Sequence, residues 1–416
     1  MVYLRYLIMA NKPRIRFRGF TEDWEQRKLG DLYKRVNERN DGTLGRDKWI
    51  SVAKMYFQDP DKVQSNNLDT RTYVMKKGDI AFEGHPNNEF KFGRFVLNDI
   101  GTGIISELFP IYRPITEYDL DFWKYAIQLE RVMAPILAKS ITSSGNSSNK
   151  LDHNHFLNKE LLVPNIEEQK KIGTLLSLLS KNITLHQCKL KKLNLAKKSL
   201  LQKLFPRNGS QIPGVRFKGF TDAWEQRKLN DFGIATGGTS IESEFVDGGT
   251  YKVINIGSYS EESVYNDQGL RVNKTDKTKS RILNKYDLTM ILNDKTASGN
   301  IIGRVLLIDQ DNTYVYNQRT ERIEVDTKDF LPMFLYHMLN APEQRKYIVK
   351  ASQGNTQIYV NWSTISNIDY MIPQLLLEQE KIANLFSLIN KDITLHQRKL
   401  ERLQEVKKGL LQKMFV

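Results

Sequence analysis

The chain repeats itself, and this repeat is the feature that most limits how it can fold. Phe17–Leu29 reads FRGFTEDWEQRKL and Phe217–Leu229 reads FKGFTDAWEQRKL, with ten of thirteen positions identical at an offset of 200 residues. A second match joins KNITLHQCKLKKL at 181–193 with KDITLHQRKLERL at 391–403, at an offset of 210. Each copy therefore has a short start motif, a long intervening stretch and a long closing segment.

The stretches between the matched ends are unlike one another. Residues 30–140 and 230–350 share little besides scattered turns, although the motifs that flank them are nearly the same. Neutral drift after an old duplication would also have eroded the flanking motifs. We therefore favour two domains that recognise different targets and are built on one scaffold. A chain of 416 residues is also long enough that we expect at least two hydrophobic cores.

The net charge favours a polyanionic partner. The chain has 62 Lys and Arg against 48 Asp and Glu, which gives a formal charge of +14. Nucleic acid is the commonest partner of so basic a chain, although a merely basic protein is an open alternative from charge alone. The location of the charges has to decide between them.

Cysteine and histidine usage argues against disulfides and metals. The single cysteine, Cys188, excludes an internal disulfide framework and fits a reducing cytoplasm. His153 and His155 are close in sequence, but no HExxH motif or His/Cys cluster with ligand spacing occurs. We therefore expect a cytoplasmic protein with no metal site, preceded by an N-terminal extension over residues 1–12.

The closing segments have the heptad spacing of paired helices. Apolar residues recur every three and four positions in both, and about 39 residues at ~1.5 Å each would make a rod of roughly 58 Å. A single helix cannot bury this row of apolar residues on its own, so we expect the two helices to pack on one another. A lysine, Lys197 or Lys407, occupies the same position in both heptads. The predicted seam residues are Leu176, Leu179, Ile183, His186, Leu190, Leu193 and Leu200 in the first segment, and Phe386, Ile389, Ile393, His396, Leu400, Leu403 and Leu410 in the second.

Local signals mark where the first helix starts and stops. Asn165 after Pro164, with Glu168 three residues further on, resembles a capping box. The run PRNGSQIPG at 206–214 is rich in Pro, Gly and Ser and reads as a linker to the second copy.

The intervening stretches predict a compact α/β domain in each copy. Short β-like runs at Tyr73–Gly84 and Asn284–Asp294 are bounded by turn residues. Helical patterns follow at Phe122–Lys139 and Phe330–Val349.

Loops in both copies carry side chains suited to DNA. Arg and Lys fit guanine edges, Asn and Gln fit adenine edges, and Ser or Thr can serve a base or a phosphate. Each such residue alone is equally a turn former, so the hypothesis depends on the set. The candidate DNA-binding residues are Asn87, Asn88, Lys91, Arg94, Gly145, Asn146, Ser147, Asn149 and Lys150 in copy one, and Gly238, Thr239, Ser240, Asn293, Lys295, Thr296, Asn317, Gln318, Arg319, Gly354, Asn355, Thr356 and Gln357 in copy two.

Taken in order, these motifs resemble the DNA-specificity subunits of type I restriction–modification systems. The similarity consists of the GFT…WEQRKL starts, the Gly-Gly-Thr-Ser run at Gly237–Ser240, the lone-glycine turns near Gly145 and Gly354, and a P…EQ…I sequence at the start of each long helix. It extends over nearly the whole chain, and the duplicated order is more specific than any single motif. Copy one departs from the pattern, since VNERNDG at Val36–Gly42 stands where copy two has its Gly-Gly-Thr-Ser run.

The resemblance implies a mixed α+β fold. It would have two α/β target-recognition domains in a pseudo-two-fold repeat, separated by two long antiparallel coiled-coil helices. The expected domains are 13–163 for target recognition, 164–205 for the first long helix, 206–214 for the linker, 215–372 for the second target-recognition domain and 373–416 for the second long helix.

The resemblance also implies partners. Each recognition domain would read one half of a gapped site on double-stranded DNA, while the helices dock two methyltransferase subunits and up to two restriction subunits join outside. S-adenosylmethionine, ATP and Mg²⁺ would then belong to those partners, and we expect this chain to bind no cofactor and catalyse no reaction.

Two other classes of function, an enzyme that acts on DNA and a scaffold that does not read DNA, agree less well with the sequence. A DNA methyltransferase would need an Asn/Asp-Pro-Pro-aromatic loop, which is absent from the sequence, and FGIATGG at Phe232–Gly238 has the wrong glycine spacing for its cofactor. A nuclease would need clustered carboxylates with a lysine around a metal ion, and Asp287, Asp294 and Lys295 only loosely resemble such a site. A coiled-coil scaffold with incidental basic charge would leave the two unlike stretches without a purpose.

Overall fold

The computed structural model describes residues 11–63, 71–144, 148–207 and 209–416. These residues form two compact units, one made of the chain up to Gln187 together with Arg398–Val416, the other of Cys188–Gln397. The two long helices each contribute to both units. The prediction of mixed α/β domains with two long helices is confirmed.

Copy one consists of short strands and short helices and ends in the first long helix. Its strands are β1 (Glu25–Lys28), β2 (Tyr33–Val36), β3 (Ile50–Ser51), β4 (Tyr56–Phe57), β5 (Thr72–Met75), β6 (Ile80–Glu83), β7 (Arg94–Leu97), β8 (Gly103–Ser106), β9 (Ile111–Pro114), β10 (Ile141–Ser144), β11 (Asn149–Leu151) and β12 (Glu160–Val163). Its helices are α1 (Leu29–Leu32), α2 (Leu120–Ala126), α3 (Glu130–Ala138), α4 (His153–Leu157) and α5 (Ile166–Lys203).

Copy two follows the same plan. Its strands are β13 (Glu225–Lys228), β14 (Gly233–Gly237), β15 (Tyr251–Ile254), β16 (Arg271–Val272), β17 (Leu288–Ile291), β18 (Asn293–Asp294), β19 (Val305–Leu307), β20 (Tyr314–Tyr316), β21 (Thr320–Val325), β22 (Ile358–Tyr359) and β23 (Asp369–Ile372). Its helices are α6 (Pro332–Leu339), α7 (Pro342–Lys350), α8 (Trp362–Ile365) and α9 (Leu376–Lys413).

The start motif of each copy becomes a strand that pairs with the last strand before the long helix. In copy one, β1 pairs antiparallel with β12, and Glu25 lies opposite Val163. In copy two, β13 pairs antiparallel with β23 in the same register, and Glu225 lies opposite Ile372. The duplicated EQRK letters thus close each domain by joining its two ends.

The dissimilar stretches fold into sheets of the same order. Copy one has a four-stranded antiparallel sheet in the order β2-β9-β6-β7, and copy two has β14-β21-β17-β19. One buried ion pair recurs in both: Arg113 binds both carboxylate oxygens of Asp79, with N–O distances of 2.9 Å, and Arg322 binds those of Asp287 at 2.8 and 3.2 Å. The two copies therefore share a scaffold, although their sequences in these stretches are no longer similar.

The two long helices run antiparallel within each unit, because each unit combines the start of one helix with the end of the other. In the first unit, Leu176 shares a core with Phe415 from the end of the chain. In the second unit, Phe205 shares a core with Phe386, and these two rings stack with centroids 6.1 Å apart. Within the described residues, no helix is long and apolar enough to cross a membrane.

The start of α5 is capped as the sequence predicted, but by only half of a capping box. The Glu168 backbone N–H donates to Asn165 Oδ1 at 2.9 Å, which satisfies one of the free N–H groups of the first turn. The Glu168 carboxylate does not turn back to Asn165, because it binds an arginine of the start motif instead.

Candidate nucleic-acid interface

A buried ion pair fixes each start motif to the first turn of a long helix. Arg16 donates to Glu168 through Nε at 2.7 Å and Nη2 at 2.8 Å, and Arg216 binds Glu378 with the same two distances. The Glu168 side chain is fully buried and that of Glu378 almost so. Trp224 adds a donor to Glu378 in copy two, at 3.4 Å. Two-point pairing of this kind sets both distance and angle between domain and helix.

The glutamine that follows each of these glutamates ties a second part of the domain to the helix. Gln169 Oε1 accepts from the Asp119 backbone N–H at 3.1 Å, just before α2. Gln379 Oε1 accepts from the Leu331 N–H at 2.9 Å, just before α6. The EQ dipeptide in both copies therefore orients the domain on its helix.

An aromatic contact completes the attachment. The Lys171 ammonium lies 4.9 Å from the centre of the Phe20 ring, and Lys381 lies at the same distance from Phe220. Each phenylalanine follows a glycine with positive φ, Gly19 or Gly219, at which a larger side chain would be strained. The GFT letters thus make a turn that presents an aromatic ring to the helix.

In copy two, the Gly-Gly-Thr-Ser loop is bound to the loop that carries Asn317. Gly238 donates its N–H to Thr320 O at 2.8 Å, and a Cβ on Gly238 would lie 2.0 Å from Asn317 O. Asn317 is buried, its Oδ1 accepting from the Ile241 N–H at 3.2 Å and its Nδ2 donating to Glu242 at 3.0 Å. Close backbone approach explains the glycine, and Asn317 holds the two loops together.

Glu242 accepts several of the hydrogen bonds in this region, although the sequence did not indicate a role for it. It accepts hydrogen bonds from Ser240 Oγ, Asn317 Nδ2 and Gln318 Nε2, and these lower the pKa of its carboxyl to about 2, the Ser240 hydroxyl having the largest effect. The carboxylate therefore stays ionised and keeps three of the predicted DNA-binding side chains in one network.

Arg319 joins this network to the remaining loops of copy two. Its backbone has a φ of 64°, unusual for a residue with a side chain, and its guanidinium is exposed. With its amide oriented to suit its neighbours, buried Asn293 accepts from Arg319 Nη1 and donates to Ile358 O, both at 2.9 Å. Strands β18 and β22 pair beside it, so the exposed turn Gly354–Gln357 is attached here.

The exposed Lys295–Thr296 turn is shaped from below. Asp294 is buried, and its Oδ1 accepts from the backbone N–H and hydroxyl of Thr296 at 2.9 Å each, while its Oδ2 accepts from the Ile301 N–H. Arg345 Nη2 donates to the carbonyls of Gly299, Asn300 and Ile302. Four groups of predicted residues in copy two thus lie in one connected region.

In copy one, the structure joins two groups of predicted residues. Asn149 donates its N–H to Gly84 O at 2.8 Å, so the β10–β11 hairpin lies against the loop that contains Asn87 and Asn88. Asn87 Oδ1 accepts from two backbone N–H groups of its own turn, and Arg94 pairs with Glu83 at 2.9 Å. Asn88, Lys91 and Lys150 are exposed, while Gly145, Asn146 and Ser147 lie outside the described residues.

Every predicted seam residue of the long helices is buried or half-buried. Leu176, His186, Phe386 and Ile393 are buried, and the other ten are half-buried. The seam lysines have a different role from the one that heptad position suggests. Lys407 Nζ lies 5.0 Å from the centre of the Tyr125 ring. Lys197 lies near His337, and burial together with the charge of this lysine lowers the pKa of His337 to about 3. Both lysines thus face a domain helix.

Glu321 is a second carboxylate that the sequence did not reveal. It is only 6% exposed, and burial raises its pKa to about 7 against the opposing charge of Arg281. In the described part of the chain, no group of three or more His, Cys, Asp or Glu side chains could hold a metal ion.

The raised pKa of Glu321 predicts a pH-dependent effect of its removal. The folded protein holds this proton more tightly than the unfolded chain, so the native state loses stability as pH rises from the ordinary glutamate range to about 7. We expect Glu321→Gln to raise Tm by a few degrees at pH 8 and to leave it unchanged near pH 4, where both states are protonated. Scanning calorimetry at both pH values would measure this, and an equal shift at both would contradict it.

Comparisons with known proteins agree with this architecture. Residues 221–405 match the family model of the type I restriction modification DNA specificity domain. The specificity subunit of the type I restriction enzyme MjaVIII from Methanocaldococcus jannaschii is 23% identical over 406 residues, which cover 94% of this chain and 91% of the relative.

A solved structure shows the same fold. The crystal structure of a type I restriction–modification S subunit from M. genitalium superimposes with a TM-score of 0.58 at 12% identity, over 97% of this chain and 99% of that one. Together with the duplicated motif order, these matches confirm the resemblance seen in the sequence. Over nearly its whole length, the chain is similar to type I restriction–modification DNA-specificity subunits.

Proposed function

We propose that this chain is a type I DNA-specificity subunit and that it reads a two-part, gapped site on double-stranded DNA, with one half read by the domain at 13–163 and the other by the domain at 215–372. The observation that carries the proposal is the contrast between a shared scaffold and unlike loops. The end-joining strands, the sheet order and the Arg–Glu and Arg–Asp ion pairs recur in both copies. The loops above those sheets have different residues and different internal bonding.

The DNA-contacting groups that we propose are mainly the exposed members of these loops. In copy two they are Thr239, Ser240, Lys295, Thr296, Gln318, Arg319, Gly354, Asn355, Thr356 and Gln357, with Gly238, Asn293 and Asn317 shaping the loops from beneath. In copy one they are the exposed Asn87, Asn88, Lys91 and Lys150 and the half-buried Arg94 and Asn149. We also propose Gly145, Asn146 and Ser147, which lie outside the described residues. Arg319 is the strongest candidate for base readout, because it is exposed and its backbone is held in an unusual conformation.

Two substitutions in copy two test base readout against simple charge attraction. We expect Arg319→Ala to weaken discrimination at one base of one half-site by ~1–3 kcal/mol, because a bidentate contact is lost. Lys295→Ala should instead weaken binding to all sequences and reduce the salt dependence. Genome-wide mapping of methylated bases, with binding titrations of the assembled complex, would separate the two. Equal loss on every sequence for Arg319→Ala would contradict its role in readout.

We also propose that the long helices dock two methyltransferase subunits at equivalent sites, with restriction subunits joining outside. The support is a second apolar stripe outside the seam, present on both helices. Leu178 and Leu185 on α5 are exposed, and so are their repeat partners Leu388 and Leu395 on α9. Four exposed leucines at matched positions are typical of surfaces that a partner covers.

Charge placed on this stripe should remove the methyltransferase subunits one at a time. We expect Leu185→Glu or Leu395→Glu to weaken one docking site roughly tenfold or more, and the double variant to weaken both, because the introduced carboxylate would be buried by the partner. Native mass spectrometry would count the bound subunits. Leu195→Glu is the matched control, since the repeat position already carries Glu405. Loss of both subunits from one single variant would argue against two equivalent sites.

In this proposal the chain supplies the DNA address, while methylation with S-adenosylmethionine and ATP- and Mg²⁺-dependent cleavage occur on the partner subunits. Incubating the purified chain with S-adenosylmethionine, or with Mg²⁺ and plasmid, provides the test. Turnover that survives removal of every partner would overturn this assignment.

A further inference from the structure

Glu321 has no partner in the fold. It lies on β21, opposite Gly237 of β14 and Met290 of β17. No hydrogen bond or ion pair joins its carboxylate to any of the described residues, yet its oxygens are not among the side-chain atoms sealed from solvent. The carboxylate is therefore largely enclosed, has no donor within the described fold and is open to a donor that approaches from outside.

The carboxylate lies directly beneath the Gly-Gly-Thr-Ser loop. A Cβ added to Gly237 would come within 3.3 Å of Glu321 Oε2, so the absence of a side chain leaves the carboxylate uncovered from that side. Arg281 is held nearby, donating through Nη1 to Gly237 O at 2.6 Å and to the Tyr316 hydroxyl at 3.0 Å. Arg281 is thus held through Nη1 and does not form an ion pair with Glu321.

Copy one supplies a comparison at the same position of the sheet. Ile80, which follows Asp79, lies opposite Tyr112 in copy one, and Leu288, which follows Asp287, lies opposite Ile323 in copy two. Tyr112 therefore corresponds to Ile323, and Glu321 corresponds to Pro110. Pro110 has no polar group in its side chain, and the same sheet forms in copy one. The scaffold therefore does not require a carboxylate at this position.

The surroundings of Glu321 belong to the proposed reading surface. Arg319 lies two residues before it, and Gly238 is bonded to Thr320, the residue immediately before it. A carboxylate only accepts hydrogen bonds, and the groups on base edges that donate in the major groove are the amino groups, cytosine N4 and adenine N6. Carboxylates are the usual partners of cytosine N4.

On the basis of the function proposed above, we propose that Glu321 is a specificity-determining residue that accepts a hydrogen bond from the exocyclic amino group of a base, cytosine by preference, in the half-site read by copy two. The base would supply the hydrogen-bond donor that the Glu321 carboxylate lacks among the described residues. Copy one, with Pro110 at this position, would lack this contact.

The test removes the amino group from the DNA and the carboxylate from the protein. The full chain, assembled with its methyltransferase subunits, is titrated with duplexes in which each cytosine of the copy-two half-site is replaced in turn by 2-pyrimidinone, and each adenine by purine. We expect one replacement to weaken native binding roughly tenfold. That penalty should vanish in Glu321→Met and persist in the matched control Glu324→Met, on the exposed face of the same strand.

The outcomes separate the contact from the function. A penalty abolished at a cytosine supports the preferred contact, and one abolished at an adenine supports the same chemistry on the other base. An unchanged penalty at every position, with half-site selection intact, would overturn the role of Glu321 alone, whereas a native complex without base preference in that half-site would overturn the proposed function itself. Unaltered affinity for the copy-one half-site would show that the variant is correctly folded. If Glu321→Met loses this affinity, Glu321→Gln is measured in its place. The proposal then fails unless Glu321→Gln reduces the same penalty.

Discussion

Replacing Glu378 with alanine should destabilise the second unit by ~3–5 kcal/mol, because it leaves the largely buried side chain of Arg216 without its partner. The same change at Glu168 should act on the first unit through Arg16. A shift in the urea midpoint, followed by tryptophan fluorescence, would measure both effects. Glu380→Ala is the control, because that glutamate is exposed and only two residues away.

Removing both charges should cost far less than removing one. In the double variant Arg216→Met, Glu378→Leu, neither partner is left uncompensated, so we expect stability within about 1–2 kcal/mol of the native protein. A double variant as unstable as Glu378→Ala would mean that packing, rather than the unpaired charge, causes the loss. Glu378→Ala costing no more than Glu380→Ala would contradict the structural role of the pair.

This ion pair shows what kind of information the sequence carried. The start motif and the helix entry were both visible as repeats, but nothing in the sequence linked Arg16 to Glu168, which lie 152 positions apart. Heptad spacing predicted the long helices because their packing depends on neighbours three and four residues apart. Contacts made far along the chain left no such local pattern.

The shared sheet was hidden for the same reason. Strand order depends on pairings such as β2 with β9, which are distant in sequence and satisfied by many residue types. Even a turn that both copies use is disguised, since Gly78 has a φ of 95° in copy one and Tyr286 has a φ of 75° in copy two. Only the structure shows that the two stretches correspond.

The candidate site was predictable only on its outer surface. Loop composition indicated exposed residues such as Arg319 and Lys295, because polar turn clusters usually face solvent. Nothing in TERIEV distinguishes Glu321 from an ordinary outward-facing strand residue, since which face is buried depends on the partner strands. Heptad position likewise suggested a helix–helix role for Lys407, whereas its ammonium lies over Tyr125 of a domain helix.

Lengthening both long helices by one heptad should change the gap between the half-sites without changing the bases that are read. Duplicating KNITLHQ at 181–187 and KDITLHQ at 391–397 adds about 10 Å to each helix, which at ~3.4 Å per base pair is no more than about three base pairs. A whole heptad keeps Ile183 and Ile393 in register, so we expect the seam to be preserved. Inserting the heptad into only one helix should instead misalign the pair and lower stability.

The gap can be read directly from the methylated bases of cells that carry the lengthened chain. Because the reading loops are untouched, both half-sites should keep their base preferences while the interval between them grows. The native interval, retained in a chain whose two helices are longer and still paired, would show that the helices do not measure the site. Distance would then have to be set by the partner subunits or by bending of the DNA, and the repeat would serve docking alone.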